Sequence, residues 1–112
     1  MMPLPPIQAI AEGAFRLCLE PGLPVWEGHF PGDPVLPGVL QVDWAIRLGE
    51  QAFGPLGRFT GLDLVKFLAP ARPGDELELR LSRDPASGTL AFQYLRGAEP
   101  LSSGRVRFAP LS

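Results

Sequence analysis

The sequence predicts an α+β fold in which one long helix lies against the dry face of a single antiparallel sheet of about five to six strands. Three observations carry this expectation. Residues 38 to 52 contain no proline and carry apolar side chains around most of a helical wheel. Residues 59 to 108 divide into short runs rich in alternating apolar and polar positions. The 14 prolines and 13 glycines fall between these runs as turn punctuation, not in a linker. One helix and one half-wet sheet bury each other's apolar faces, so a single domain over residues 1–112 accounts for every element.

In chain order, FRLCLE (15 to 20) places Phe15, Leu17 and Leu19 on one face, as in a half-buried strand. Pro21 and Gly22 turn the chain, and a short strand is expected before the helix. Pro37 suits the first helical turn, where its missing N–H leaves nothing unsatisfied. Val39, Leu40, Val42, Ala45, Ile46 and Leu48 make the helix apolar enough to be mostly buried. Strands are expected over 59 to 68, 75 to 81, 89 to 95 and 105 to 108. In the second of these Leu77, Leu79 and Leu81 alternate with Glu76, Glu78 and Arg80, giving the sheet one wet face. Pro73–Gly74–Asp75, residues 84 to 88 and residues 97 to 100 have the chemistry of turns. Residues 1–13 match no element.

Composition narrows the function. A hydrophobic content of 46% argues for a folded globular chain, and no apolar run reaches the roughly 18 residues of a membrane span. The protein is expected to be soluble. The N-terminal residues lack the basic start and continuous apolar stretch of a secretory signal. A lone cysteine, Cys18, excludes an intramolecular disulfide and a cysteine metal cluster, and a reducing cytoplasm is the expected compartment. Formal charge is −2 with both signs interspersed, so there is no basic footprint for nucleic acid.

The chemistry concentrates in EGHFPGDPVLPGVLQVDW, residues 27 to 44. It holds the only histidine, His29, and an aspartate fourteen positions later, Asp43. Within it, His29, Phe30, Pro31, Gly32, Pro37, Gly38 and Asp43 stand in register with the signature of the 3-hydroxyacyl-acyl carrier protein dehydratases, which the chain resembles. LVKFLAPARPGDELEL is similar, more weakly, to that family's strand, P-G-D turn and strand. VWEGHF is similar to the strand leading into its histidine.

The resemblance implies a hotdog fold and the dehydration of a 3-hydroxyacyl thioester on an acyl carrier protein to the trans-2-enoyl thioester. No metal or redox cofactor is implied, the substrate being carried on the phosphopantetheine arm. Such a reaction needs a base for the proton beside the carbonyl and an acid for the departing hydroxyl. An imidazole titrates near neutrality, which suits His29 as the base. Asp43 is the implied acid. The Gly38 amide is the implied thioester donor, the Val35 carbonyl holds the second imidazole nitrogen, and Pro37 and Phe30 complete the substrate-binding set. Prolines 31, 34 and 37 stiffen the connector so that the loop is ordered in advance. In that family base and acid meet across a subunit interface, implying a homodimer or a hotdog heterodimer. The D-W pair and the short chain look closer to the accessory dehydratases of aryl-polyene and other specialised pathways than to the housekeeping enzymes.

Other readings stand beside these. Asp43, Arg47 and Glu50 share a helical face and read equally as a solvated, salt-bridged stripe. Arg47 departs from the glutamine usual in the family, and a guanidinium beside an acid opposes its protonated form; it could instead face Glu50 or a phosphate of the carrier's arm. Cys18 reads as structural. Trp26 and Trp44 could line an acyl tunnel or fill the core. Arg58, Lys66 and Arg72 could form a docking patch for an acidic carrier protein, or be dispersed surface charge. A non-catalytic hotdog subunit that supports an active partner, and an acyl thioesterase, are the rival functions.

Overall fold

A computed structural model of the protein describes residues 2–27 and 32–110. The strands β1 (Ile7–Ala11) and β2 (Ala14–Cys18) form a hairpin, and a 3-10 turn (Pro24–Trp26) precedes the helix α1 (Gly38–Phe53). Four strands follow: β3 (Arg58–Phe67), β4 (Glu76–Arg83), β5 (Leu90–Arg96) and β6 (Glu99–Ala109). Every pairing is antiparallel, in the spatial order β1-β2-β4-β5-β6-β3. This is the α+β hotdog architecture, a central helix held by one wrapped sheet. Among the described residues no helix is long and apolar enough to cross a membrane.

The alternation in β4 does what its pattern predicts. Leu77, Leu79 and Leu81 are buried while Glu76 and Arg80 stay in solvent. Phe15 and Leu17 of β2 and Leu90, Phe92 and Tyr94 of β5 join them on the same face. Val42, Trp44, Ala45 and Leu48 of α1 close the core from the other side. Trp44 is fully buried there, and its indole N–H has no hydrogen-bond partner among the described residues.

Three boundaries differ from expectation. Pro24–Trp26 forms a 3-10 turn in place of a short strand, its helical start set by Pro24; residues 28–31 lie outside the described part. β1 adds a strand where none was read, because its side chains are mostly exposed and its sequence shows no alternation. β6 begins at Glu99, six residues before the expected 105, so that Glu99 and Pro100 are strand and not turn, and the Ser102–Ser103–Gly104 run, assigned to no element, is strand as well. Small size is required at Gly104: a Cβ there would meet the Phe92 ring at 2.8 Å and the Val65 side chain at 3.0 Å.

Among the described residues β3 lies at the sheet edge with β6 as its one neighbour, and it is the most exposed apolar strand. Phe59, Leu62, Leu64 and Phe67 all present surface to solvent, as does Leu68 just beyond it. Its pairing with β6 slips twice, and at the second bulge Leu64 adopts a left-handed φ of 55°.

Leu79 sits at the centre of the β4 face with no exposed surface. Leu79→Ala is expected to destabilise the chain by about 2 to 5 kcal/mol through lost burial and the cavity left behind, read as a lower midpoint in urea unfolding.

Candidate active site

The first turn of α1 opens onto a groove of about 520 Å3 lined by Val35, Leu36, Pro37, Gly38 and Gln41 on one wall and Phe67–Pro70 on the other. Pro37 is the N-cap, one position earlier than the helical turn expected for it, and its carbonyl accepts from the Leu40 and Gln41 amides. The Gly38 and Val39 amides carry no such bond among the described residues. They are the free donors that the start of any helix leaves over, at the positive end of its dipole. The far wall is pinned by bonds from the Leu68 and Ala69 amides to the Leu101 carbonyl, and from Arg96 to the Pro70 carbonyl. Position 38 approaches the opposite wall closely: a Cβ there would lie 2.6 Å from the tip of the Phe67 ring, which would have to move aside.

A buried polar cluster fastens this turn to the sheet. Gln41, 4% exposed, donates through Nε2 to the Leu36 carbonyl at 3.2 Å and accepts through Oε1 from the Ser102 hydroxyl at 2.6 Å. The Tyr94 hydroxyl donates to the Gln41 backbone carbonyl at 2.6 Å. Tyr94 is held in its neutral form: burial, and secondly the charge of Asp43, push its phenol well above the ordinary value of 10.0. Sequence reading passed over Gln41. Its signal was a glutamine one helical turn before Ala45 and two before Leu48, on the face that the apolar pattern buries.

Asp43 lies elsewhere. It is five residues beyond Gly38, hence about 7.5 Å along the helix and about 140° around it, and it is not among the residues lining the groove. Its carboxylate is 39% exposed and meets the Arg47 guanidinium at 3.6 Å. Arg47 also donates to the Met2 carbonyl at 2.8 Å, tying the N-terminal segment to the helix. The stripe of Asp43 and Arg47 therefore exists as a pair, while Glu50 accepts from the Leu56 amide at 3.4 Å.

His29 and Phe30 lie outside the described residues, as does any contact of the Val35 carbonyl with the imidazole. Phe67 borders the groove, whereas Trp44 belongs to the core and Trp26 is partly buried, its indole N–H donating to the Glu20 carbonyl at 2.8 Å. Cys18 sits partly buried on β2. Arg58, Lys66 and Arg72 do not form one patch. Arg58 and Lys66 stand at opposite ends of β3, roughly 25 Å apart for eight residues of strand. Arg72 is paired with Asp33 of the connector.

Residues 8–105 match the ApeI-like family pattern, described as ApeI dehydratase. The chain belongs to the ApeI-like dehydratase family. A chain of the dehydratase heterocomplex ApeI:P from Xenorhabdus doucetiae is 30% identical, superposes with a TM-score of 0.80 and covers 96% of both chains. Among curated proteins, the 3-hydroxyacyl-[acyl-carrier-protein] dehydratase FabZ of Alkaliphilus metalliredigens is 46% identical over 52% of this chain and 44% of its own length. That of Acetivibrio thermocellus is 33% identical over 77% of this chain and 66% of its own. The chain thus spans about half to two thirds of these two FabZ relatives.

In this ApeI-like chain the groove and the buried cluster each yield a test. The atoms that a Cβ at Gly38 would meet are the free end of a half-exposed ring. Gly38→Ala is therefore expected to change stability by less than about 1 kcal/mol while displacing the Phe67 ring. The displacement is read as shifted Phe67 ring resonances in NMR, which Val39→Ala, a change at a 75% exposed position, leaves in place. Tyr94 is the chain's one tyrosine, so its titration is free of overlap. Because its folded value is raised, its contribution to stability is complete below the unfolded value of 10.0 and is lost as pH climbs through the higher folded value. Tyrosinate absorbance should then rise together with alkaline unfolding, and Tyr94→Phe should flatten the fall in stability above pH 10.0.

Proposed function

We propose that the protein dehydrates a 3-hydroxyacyl thioester, carried on the phosphopantetheine arm of an acyl carrier protein, to the trans-2-enoyl thioester and water. The observation that carries this reading is the unpaired Gly38 amide at the end of an apolar groove. An amide at a helix N-terminus polarises a thioester carbonyl and stabilises the enolate that forms when the neighbouring carbon loses its proton. His29 takes that proton, and Asp43 supplies one to the departing hydroxyl. Val35, Pro37 and Phe30 border the acyl chain. The chemistry uses no metal or redox cofactor.

Helix geometry supports a site shared between two chains. Asp43 stands about 7.5 Å along α1 and about 140° around it from Gly38 and does not line the groove, which favours an acid supplied to each groove by a second chain. The exposed apolar residues of β3 supply an edge on which a second chain can add. This chain carries both His29 and Asp43, so two copies complete two sites, and the homodimer is the assembly proposed. The Xenorhabdus doucetiae relative is described as a heterocomplex, which leaves a hotdog partner as the alternative. Lys66, which stands on β3 close to the groove, is the docking cation best placed for an acidic carrier; Arg58 is remote and Arg72 engaged. An aryl-polyene or similar specialised pathway is the proposed setting, on the strength of the D-W pair and the short chain.

One observation favours a second reading, a subunit that supports an active partner. Asp43 is engaged by Arg47 at 3.6 Å, so its carboxylate must leave that ion pair to reach a substrate.

The purified chain is expected to hydrate crotonyl-pantetheine, followed as loss of the conjugated thioester absorbance. His29→Ala and Asp43→Asn should each lower the rate about 100-fold or more with folding retained. A folded dimer without activity on any carrier-bound enoyl chain transfers the weight to the supporting-subunit reading.

A further inference from the structure

The cluster around Gln41 is costlier than packing requires. A buried glutamine must satisfy up to four hydrogen-bonding groups, and an apolar side chain of the same size would fill the position without that demand. What the glutamine adds is direction. The Leu36 carbonyl accepts only, so it must face Nε2, and the Ser102 hydroxyl then faces Oε1; the amide has one orientation that satisfies both partners. Leu36 is held at its other end as well, its N–H bonding the Ala71 carbonyl at 2.8 Å. Pro37 follows with φ near −60° fixed by its ring. Two restraints on Leu36 and the fixed φ of Pro37 place the entry to the helix, and the Leu40 and Gln41 amides on the Pro37 carbonyl complete the plane of the peptide that presents the Gly38 N–H.

Tyr94 completes the arrangement by fastening the Gln41 backbone to β5, while Ser102 fastens its side chain to β6. The helix start is therefore registered against two strands through one residue.

We propose that Gln41 is a positioning residue that aims the Gly38 amide at the thioester carbonyl. The inference rests on the dehydratase reading for its substrate, and it assigns to Gln41 a part in carbonyl polarisation beyond holding the fold. Donors of this kind act through their preset direction, so an amide free to tilt loses much of its effect without losing the groove that binds the acyl chain.

The test measures the carbonyl directly. Binding of [1-13C]butyryl-pantetheine, a saturated thioester that cannot be hydrated, is followed by isotope-edited infrared spectroscopy on the full chain. In the wild type the labelled C=O stretch is expected to move to lower frequency on binding. In Gln41→Met, similar in size and without the amide, that displacement should fall by about half or more. The kcat for crotonyl-pantetheine hydration should drop on the order of tenfold with KM within about twofold. Ser102→Ala, which releases only the Oε1 restraint, should move both readouts the same way by less, and it serves if Gln41→Met fails to fold. An unchanged displacement and kcat in folded variants overturn the inference. A displaced stretch in a wild type that hydrates nothing, reduced in Gln41→Met, removes the dehydratase reading and keeps the positioning role. Failure of the wild type to bind the thioester at all overturns both.

Discussion

A helix that enters the dry face of a sheet brings its polar end with it, and the hydrogen bonds that satisfy that end decide where everything else lies. In this protein they converge on Gln41. Its backbone carbonyl takes the Tyr94 hydroxyl, and its side chain spans from the Leu36 carbonyl to Ser102. Left unmade in such surroundings, each bond would cost about 1 to 3 kcal/mol. The helix start is accordingly fixed in depth and rotation, and with it the direction of the Gly38 amide, the seat of Phe67 and the outward angle of Asp43.

From that placement the division of the site follows. The groove lies beside the N-terminal turn, bounded by residues 35 to 38 and 67 to 70, whereas Asp43 is carried around the helix to a half-exposed face beside Arg47 and the N-terminal segment. On the proposed dehydratase reading, base and acid chemistry on one substrate calls for two chains. The apolar edge of β3 is consistent with this, since a strand carrying Phe59, Leu62, Leu64 and Phe67 in solvent is an aggregation liability unless something covers it.

Much of the fold was legible because its pattern is simple. The Leu77–Leu79–Leu81 alternation and the proline-free run from Gly38 correctly gave a half-wet sheet and one helix, within a residue or two at most ends. The misreadings have physical causes. The strand before 105 went unread because Ser102 and Gly104 lack an apolar side chain; Gly104 leaves room for the Phe92 ring and Ser102 supplies the hydroxyl that reaches Gln41. Residues 7–11 hide a strand because an exposed edge needs no alternation. At the site, the motif pointed to Gly38 and Asp43, and the family pattern over residues 8–105 agrees with the resemblance that named them. Periodicity could not assign Trp44 to the core in place of the tunnel, since that depends on the sheet packed around it, nor give Gln41 its role, since that depends on Tyr94 and Ser102, more than fifty residues away.

The central claim is that His29 of one chain and Asp43 of another act on the same thioester. Subunit exchange between His29→Ala and Asp43→Asn tests it most directly. Each variant alone should be nearly inactive, while random re-pairing makes half the dimers mixed, each with one intact site. Mixing equal amounts is therefore expected to restore about a quarter of wild-type hydration activity. A mixture that exchanges subunits and stays as inactive as its components would contradict the account.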